Sequence, residues 1–175
     1  MGVYGSMWYG ISLLYGLMMY ETKWYSPIIE NAVYLGAIPL EGDEALLVDT
    51  LRINGVLSLN EKYEFEPTVM GTPISRKHWF QLGVVFENIP TPDYRAPTMD
   101  EMERGSNFIA SHLPVYVHCK AGRGRSPTMI AAYLIDHHDM SSHQAIDYIM
   151  KKRDHVRMST LQIHAIHDYF AKRKI

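Results

Sequence analysis

From Asn31 onward, short apolar runs alternate with longer amphipathic stretches, which predicts strands alternating with helices. Residues 32–38 read as an opening strand pair, residues 44–52 as a helix capped by Asp43, and residues 55–60 as a buried strand. A short helix capped by Ser75 is expected through Leu82, followed by a strand over 84–89 that ends at the proline-bearing run 90–93. Thr98-Met99-Asp100-Glu101 has capping-box form and opens a helix expected to reach His112. Residues 114–118 then form a short buried strand, residues 126–137 carry helical apolar spacing, and boxes at Ser141–Gln144 and Ser159–Gln162 open the last two helices. The order implies an α/β fold: a single domain whose central, mostly parallel sheet of about five strands is flanked by helices.

The first twenty residues depart from this pattern. They carry no charged side chain, are rich in Leu, Met and Tyr, and would extend about 30 Å as a helix, yet Gly2, Gly5, Gly10 and Gly16 dilute the apolar signal. A helix packed on the domain and a membrane-contacting or targeting helix both remain open. The expected organisation is therefore a hydrophobic segment over 1–22 and a catalytic domain over 23–175.

Composition narrows the partners. A chain of 175 residues with 47% apolar and 21% charged residues fits one globular domain. A formal net charge of −2 and no long basic run exclude a protein that relies on broad neutralisation of nucleic-acid phosphates, so any anion site must be local. The lone cysteine, Cys119, rules out a disulfide within the chain and makes a reducing compartment the natural setting.

That cysteine lies in His118-Cys119-Lys120-Ala121-Gly122-Arg123-Gly124-Arg125-Ser126, between a strand and a helix. Backbone N–H groups of residues 120–125 and the helix start can turn toward one anion, and Gly122 and Gly124 permit backbone angles closed to other residues. In that field Cys119 is stabilised as thiolate, the planar guanidinium of Arg125 can hold two phosphate oxygens, and Ser126 can donate to the sulfur. His118 orients the loop. The leaving alcohol needs a proton from a separate loop, and Asp93, directly after a predicted strand, is the candidate acid. The competing readings are an inert buried thiol for Cys119 and a solvent-facing turn residue for Asp93. No cofactor or metal is required: His164 and His167, and the pair His137-His138, lack the three or four convergent ligands of a metal site.

The His-Cys, five residues, Arg-Ser arrangement resembles the protein-tyrosine-phosphatase superfamily, and the short length is similar to its dual-specificity branch. Trp24-Tyr25, Leu35-Gly36-Ala37-Ile38-Pro39, residues 55–64, residues 115–123 and residues 131–135 resemble the mitochondrial phosphatases that dephosphorylate phosphatidylglycerophosphate on the route to cardiolipin. The resemblance implies an acidic, tyrosine-bearing loop at Glu61, Tyr63 and Glu64, positive charge at the mouth from Lys120 and Arg123, and a supporting Arg153. From the residues alone, Glu61 and Glu64 read equally as a solvated turn. It further implies an anionic phospholipid substrate met at a membrane surface, a monomer, and attachment to the mitochondrial inner membrane. A dual-specificity protein phosphatase, a cytoplasmic setting and a non-catalytic phosphate-binding module are the alternatives. Two departures stand out: the stretch from Asp93 to Pro97-Thr98 is one residue shorter than in the resembling group, and Ser159 replaces an arginine, with Arg157 nearby.

Overall fold

Among the described residues the first elements are a hairpin of β1 (Tyr25–Ile29) and β2 (Val33–Gly36), turned through Asn31 in the left-handed conformation. The pair begins earlier than the expected span of 32–38. Pro27 hides β1 from the apolar pattern, because a proline cannot donate to a ladder; it is tolerated where the register shifts between Pro27 and Ile29, on the sheet's edge. The structure, a computed structural model, describes residues 24–173; the hydrophobic segment expected over 1–22 lies outside them.

Three further strands, β3 (Gly55–Ser58), β4 (Val85–Asn88) and β5 (Val115–His118), complete a five-stranded sheet ordered β1-β2-β5-β3-β4. Only the β1–β2 pair is antiparallel. Gly36 and Ser58 flank His118 in register, so the C-terminal ends of β2, β5 and β3 are level and their following loops share one edge. That edge is where open α/β sheets gather their ligands.

The described residues include five α-helices: α1 (Arg76–Gln81), α2 (Met99–Ser111), α3 (Arg125–His137), α4 (Ser142–Lys152) and α5 (Thr160–Arg173). Ser75 accepts from His78 N at α1, and Thr98 and Ser141 form reciprocal boxes at α2 and α4, as their spacing predicts. Asp43 does not cap a helix. Its carboxylate accepts from Leu40 N at 2.8 Å, within its own turn, and the segment it precedes, Ala45–Thr50, is π-helical without a side-chain cap.

Helix α3 is buried over residues 125–135 without a break, because it lies between the sheet and α2, α4 and α5. Val33, Leu35, Leu57, Val115 and Val117 face this helical layer. Tyr34, Val56 and Tyr116 face the other way, onto Leu47 and Trp79 of the Ala45–Thr50 segment and α1. Both faces of the central strands are thus covered, as a parallel sheet requires. Among the described residues, no helix is long and apolar enough to cross a membrane.

Candidate active site

Cys119 follows β5 directly, and the loop from it to Arg125 leads into α3. Gly122 has φ of 65°, and a Cβ there would lie 2.5 Å from the Gly36 carbonyl oxygen, so the loop can press against β2 only with glycine. Gly124 differs from expectation: its φ is −135°, open to any residue, and a Cβ there would meet the end of the Gln162 side chain, Oε1, at 2.7 Å, so a larger residue would displace that amide.

The loop is held from behind by Arg153, which is buried. Its Nε donates to Gly122 O at 3.3 Å and its Nη2 to Ala121 O at 3.4 Å, while Nη1 donates to Ser26 Oγ at 3.1 Å. Engaging these carbonyls on the outside favours a loop whose N–H groups face inward. Arg123 Nε donates to His155 O at 3.2 Å, and Arg157 N donates to Arg123 O at 2.7 Å, joining the loop to the segment before α5.

Cys119 is buried and accepts from Ser126 Oγ at 3.3 Å. Burial alone would raise its pKa and suppress ionisation, but the Arg125 charge, the Ser126 hydroxyl and the backbone N–H groups of Ser126 and Arg123 outweigh that and bring the thiol below its ordinary range. A thiolate therefore persists at pH values where an ordinary cysteine, with a pKa near ~8.5, is protonated. Alkylation of Cys119 by iodoacetamide is expected to have its pH midpoint below ~8.5, and Ser126→Ala to move it upward. A midpoint at or above that of a free thiol contradicts the geometry. His118 is buried, and burial lowers its pKa to about 3, so the imidazole is neutral near pH 7 and suited to holding the loop rather than to proton transfer.

Arg125 is 1% exposed, and its partners leave one edge available. Nη1 donates to Glu64 Oε2 at 2.6 Å and to Thr91 O at 2.9 Å, and Nη2 donates to Glu64 Oε1 at 2.9 Å. This is a buried fork-to-fork pair. Nε makes no hydrogen bond within the protein, and Nη2 has a second hydrogen, so the Nε–Nη2 edge can hold two oxygens of a phosphate. Asp93 Oδ1 lies 3.4 Å from Nε, with its side chain 45% exposed, at the mouth of the same pocket.

The acidic loop divides by role. Glu64 is 1% exposed, not a solvated turn residue, and its carboxylate also accepts from Glu61 N at 2.8 Å within the 3₁₀ turn Lys62–Phe65. Tyr63 is about half exposed and donates to Glu61 Oε2 at 3.3 Å; partial burial and the Glu64 and Glu61 carboxylates raise it to about 12, a neutral phenol. Lys120, its ammonium lowered by burial against the pull of Asp93 and Glu64, lines the pocket with Ala121 and Arg123.

The pocket measures about 250 Å³ and also reaches Arg157, noted in the sequence beside the arginine missing at Ser159, together with Tyr94 and Gln162, which the sequence alone does not place at the site. Tyr94 carries no motif signal, and Gln162 was visible only as a helix cap. Elsewhere, His143 and His167 lie ring to ring at 4.6 Å. Among the described residues, no three His, Cys, Asp or Glu side chains group to hold a metal.

A thiolate under a nest of N–H groups, beside a clamped arginine, is the geometry of phosphoryl transfer to sulfur, and it places the chain among the cysteine-dependent phosphatases. Residues 55–172 match the family model for the dual specificity phosphatase catalytic domain, and the chain belongs to that family. It is 36% identical over 151 residues to the rat phosphatidylglycerophosphatase and protein-tyrosine phosphatase 1, covering 83% of this chain and 76% of the rat protein. The phosphatidylglycerophosphate phosphatase PTPMT1 of Arabidopsis thaliana is 33% identical over 155 residues, covering 86% of this chain and 43% of the plant protein. A crystal structure of PTPMT1 in complex with PI(5)P superposes with a TM-score of 0.79 at 34% identity, covering 87% of this chain and 97% of that one.

Proposed function

We propose that the protein hydrolyses the phosphate monoester of an anionic glycerophospholipid, phosphatidylglycerophosphate above all, through a phosphocysteine on Cys119. The observation that carries the reaction is the meeting of Cys119, Arg125 and Asp93 in one pocket. The lipid reading is supported by Lys120, Arg123 and Arg157 around that pocket, by the 74% exposed ring of Tyr94 at its rim, and by the names of the relatives. It carries with it a membrane surface and, by the resemblance, the mitochondrial inner membrane as the setting.

In the first step the Cys119 thiolate attacks phosphorus, an S–P bond forms and the P–O bond to the alcohol breaks. The Asp93 carboxylic acid gives its proton to the departing oxygen, while Arg125 and the loop N–H groups hold the three equatorial oxygens. In the second step water attacks phosphorus, Asp93 takes its proton, the S–P bond breaks and Ser126 donates to the released sulfur. Inorganic phosphate leaves, and both Cys119 and Asp93 return to their starting states. Asp93→Asn is expected to slow an alkyl phosphate by about 10²–10⁴-fold and an aryl phosphate with an acidic phenol far less, measured as kcat/KM. Equal losses on the two point to another acid.

The substrate class is tested by comparing kcat/KM for phosphatidylglycerophosphate in mixed micelles with that for phosphotyrosine and phosphothreonine peptides, Cys119→Ser serving as the blank. The lipid is expected to lead by at least tenfold. A preference for either peptide makes the protein a protein phosphatase with the same chemistry.

A further inference from the structure

We propose that the capping box at the start of α5 also latches the loop that carries Asp93, which makes Ser159 and Gln162 positioning residues for the general acid. The inference rests on Asp93 as the acid. A capping box ordinarily satisfies the first turn of its own helix. Those at Thr98 and Ser141 do so: Thr98 N and Oγ1 both donate to Glu101, and Ser141 N donates to Gln144 Oε1.

The box at Ser159 is equally complete, with Ser159 N donating to Gln162 Oε1 at 2.8 Å and Gln162 N donating to Ser159 Oγ at 3.3 Å. Each side chain still has a polar hydrogen to give. Ser159 Oγ donates to Tyr94 O at 2.8 Å, and Gln162 Nε2 donates to Arg95 O at 2.9 Å. Those carbonyls belong to the two residues that follow Asp93.

The turn so held is tight and strained. Arg95 N donates to Pro92 O at 3.0 Å, and Tyr94 has φ of 61°, a conformation disfavoured for a residue with a Cβ. Asp93 Oδ1 accepts from Tyr94 N at 3.1 Å and faces Arg125 Nε at 3.4 Å, so the aim of the carboxylate follows the position of the Tyr94 backbone. Gln162 is buried and stands against Gly124. It therefore sits between the acid loop and the phosphate loop and sets one relative to the other.

The test uses the full chain and two phosphate monoesters, one with an acidic phenol as leaving group and one with an alkyl alcohol, each measured as kcat/KM beside a thermal melt. Ser159→Ala is expected to lower the alkyl rate about tenfold and the aryl rate by less than about twofold, a partial copy of Asp93→Asn. Ser159→Thr, which keeps the hydroxyl, is expected to restore the alkyl rate. Gln162→Met, uncharged and of similar length, is expected to shift the alkyl-to-aryl ratio in the same direction. If Asp93→Asn is selective for the alkyl ester but Ser159→Ala and Gln162→Met lower both esters equally, or neither, the latch is wrong and the acid stands. If Asp93→Asn is itself unselective, the acid assignment fails and takes the latch with it.

Discussion

Replacing Arg125 with lysine is expected to lower kcat/KM by about 10²–10³-fold on aryl and alkyl phosphates alike. The reason is the division of labour within one guanidinium. Nη1 and one hydrogen of Nη2 are committed to Glu64 and Thr91, which fixes the plane of the group and aims the Nε–Nη2 edge into the pocket. A lysine ammonium is a point donor and cannot satisfy the buried Glu64 carboxylate and two phosphate oxygens together. Because the lost interaction strengthens as charge develops on the equatorial oxygens, the effect belongs in kcat as well as in KM. A loss below about tenfold would mean that the loop N–H groups hold the phosphate without the arginine.

The second large effect is expected at Glu64. Glu64→Ala strands a buried guanidinium and should destabilise the fold by about 3–5 kcal/mol, while also lowering turnover by freeing Arg125 from its plane. At this chain length that corresponds to a fall in melting temperature of roughly 10 °C. Glu64→Gln, which keeps one carbonyl acceptor for the guanidinium, should fall between the two. Glu61→Ala provides the contrast within the same 3₁₀ turn, since it removes a cap from a partly exposed position and should cost about 1 kcal/mol. Urea unfolding of the three variants alongside steady-state kinetics separates them. Equal stability of Glu64→Ala and Glu61→Ala would contradict the clamp.

These two residues also mark how far the sequence is legible. The strand, loop and helix around Cys119 are contiguous, and each leaves a local signal: an apolar run, two glycines and a helical repeat. The partner of Arg125 is 61 residues away, and the pair forms only because β3 lies beside β5 in the sheet. Neighbour order between parallel strands has no local signature. A carboxylate that is usually exposed gives no sign of burial either, so the residues themselves left Glu64 as a turn, and only the resemblance set it near the site.

Smaller differences have equally local causes. β1 is obscured by Pro27 on an edge strand, and Asp43 spends its carboxylate on the turn before the segment it was expected to cap. The two departures from the resembling group, the shortened stretch after Asp93 and Ser159, are in contact through the Ser159 hydroxyl and the Tyr94 carbonyl. Each reads from the sequence as an isolated difference. Their meeting is set by the path of α5 past the sheet edge.

In the proposed reaction a lipid phosphate passes through Cys119. The direct measurement is acid quench of the protein during turnover of phosphatidylglycerophosphate labelled in its terminal phosphate, followed by recovery of the peptide that contains Cys119. The expected result is label on that peptide, at a level raised by Asp93→Asn if hydrolysis of the intermediate slows more than its formation, and no label or turnover in Cys119→Ser. Release of labelled inorganic phosphate by Cys119→Ser at the rate of the unaltered protein would contradict the account.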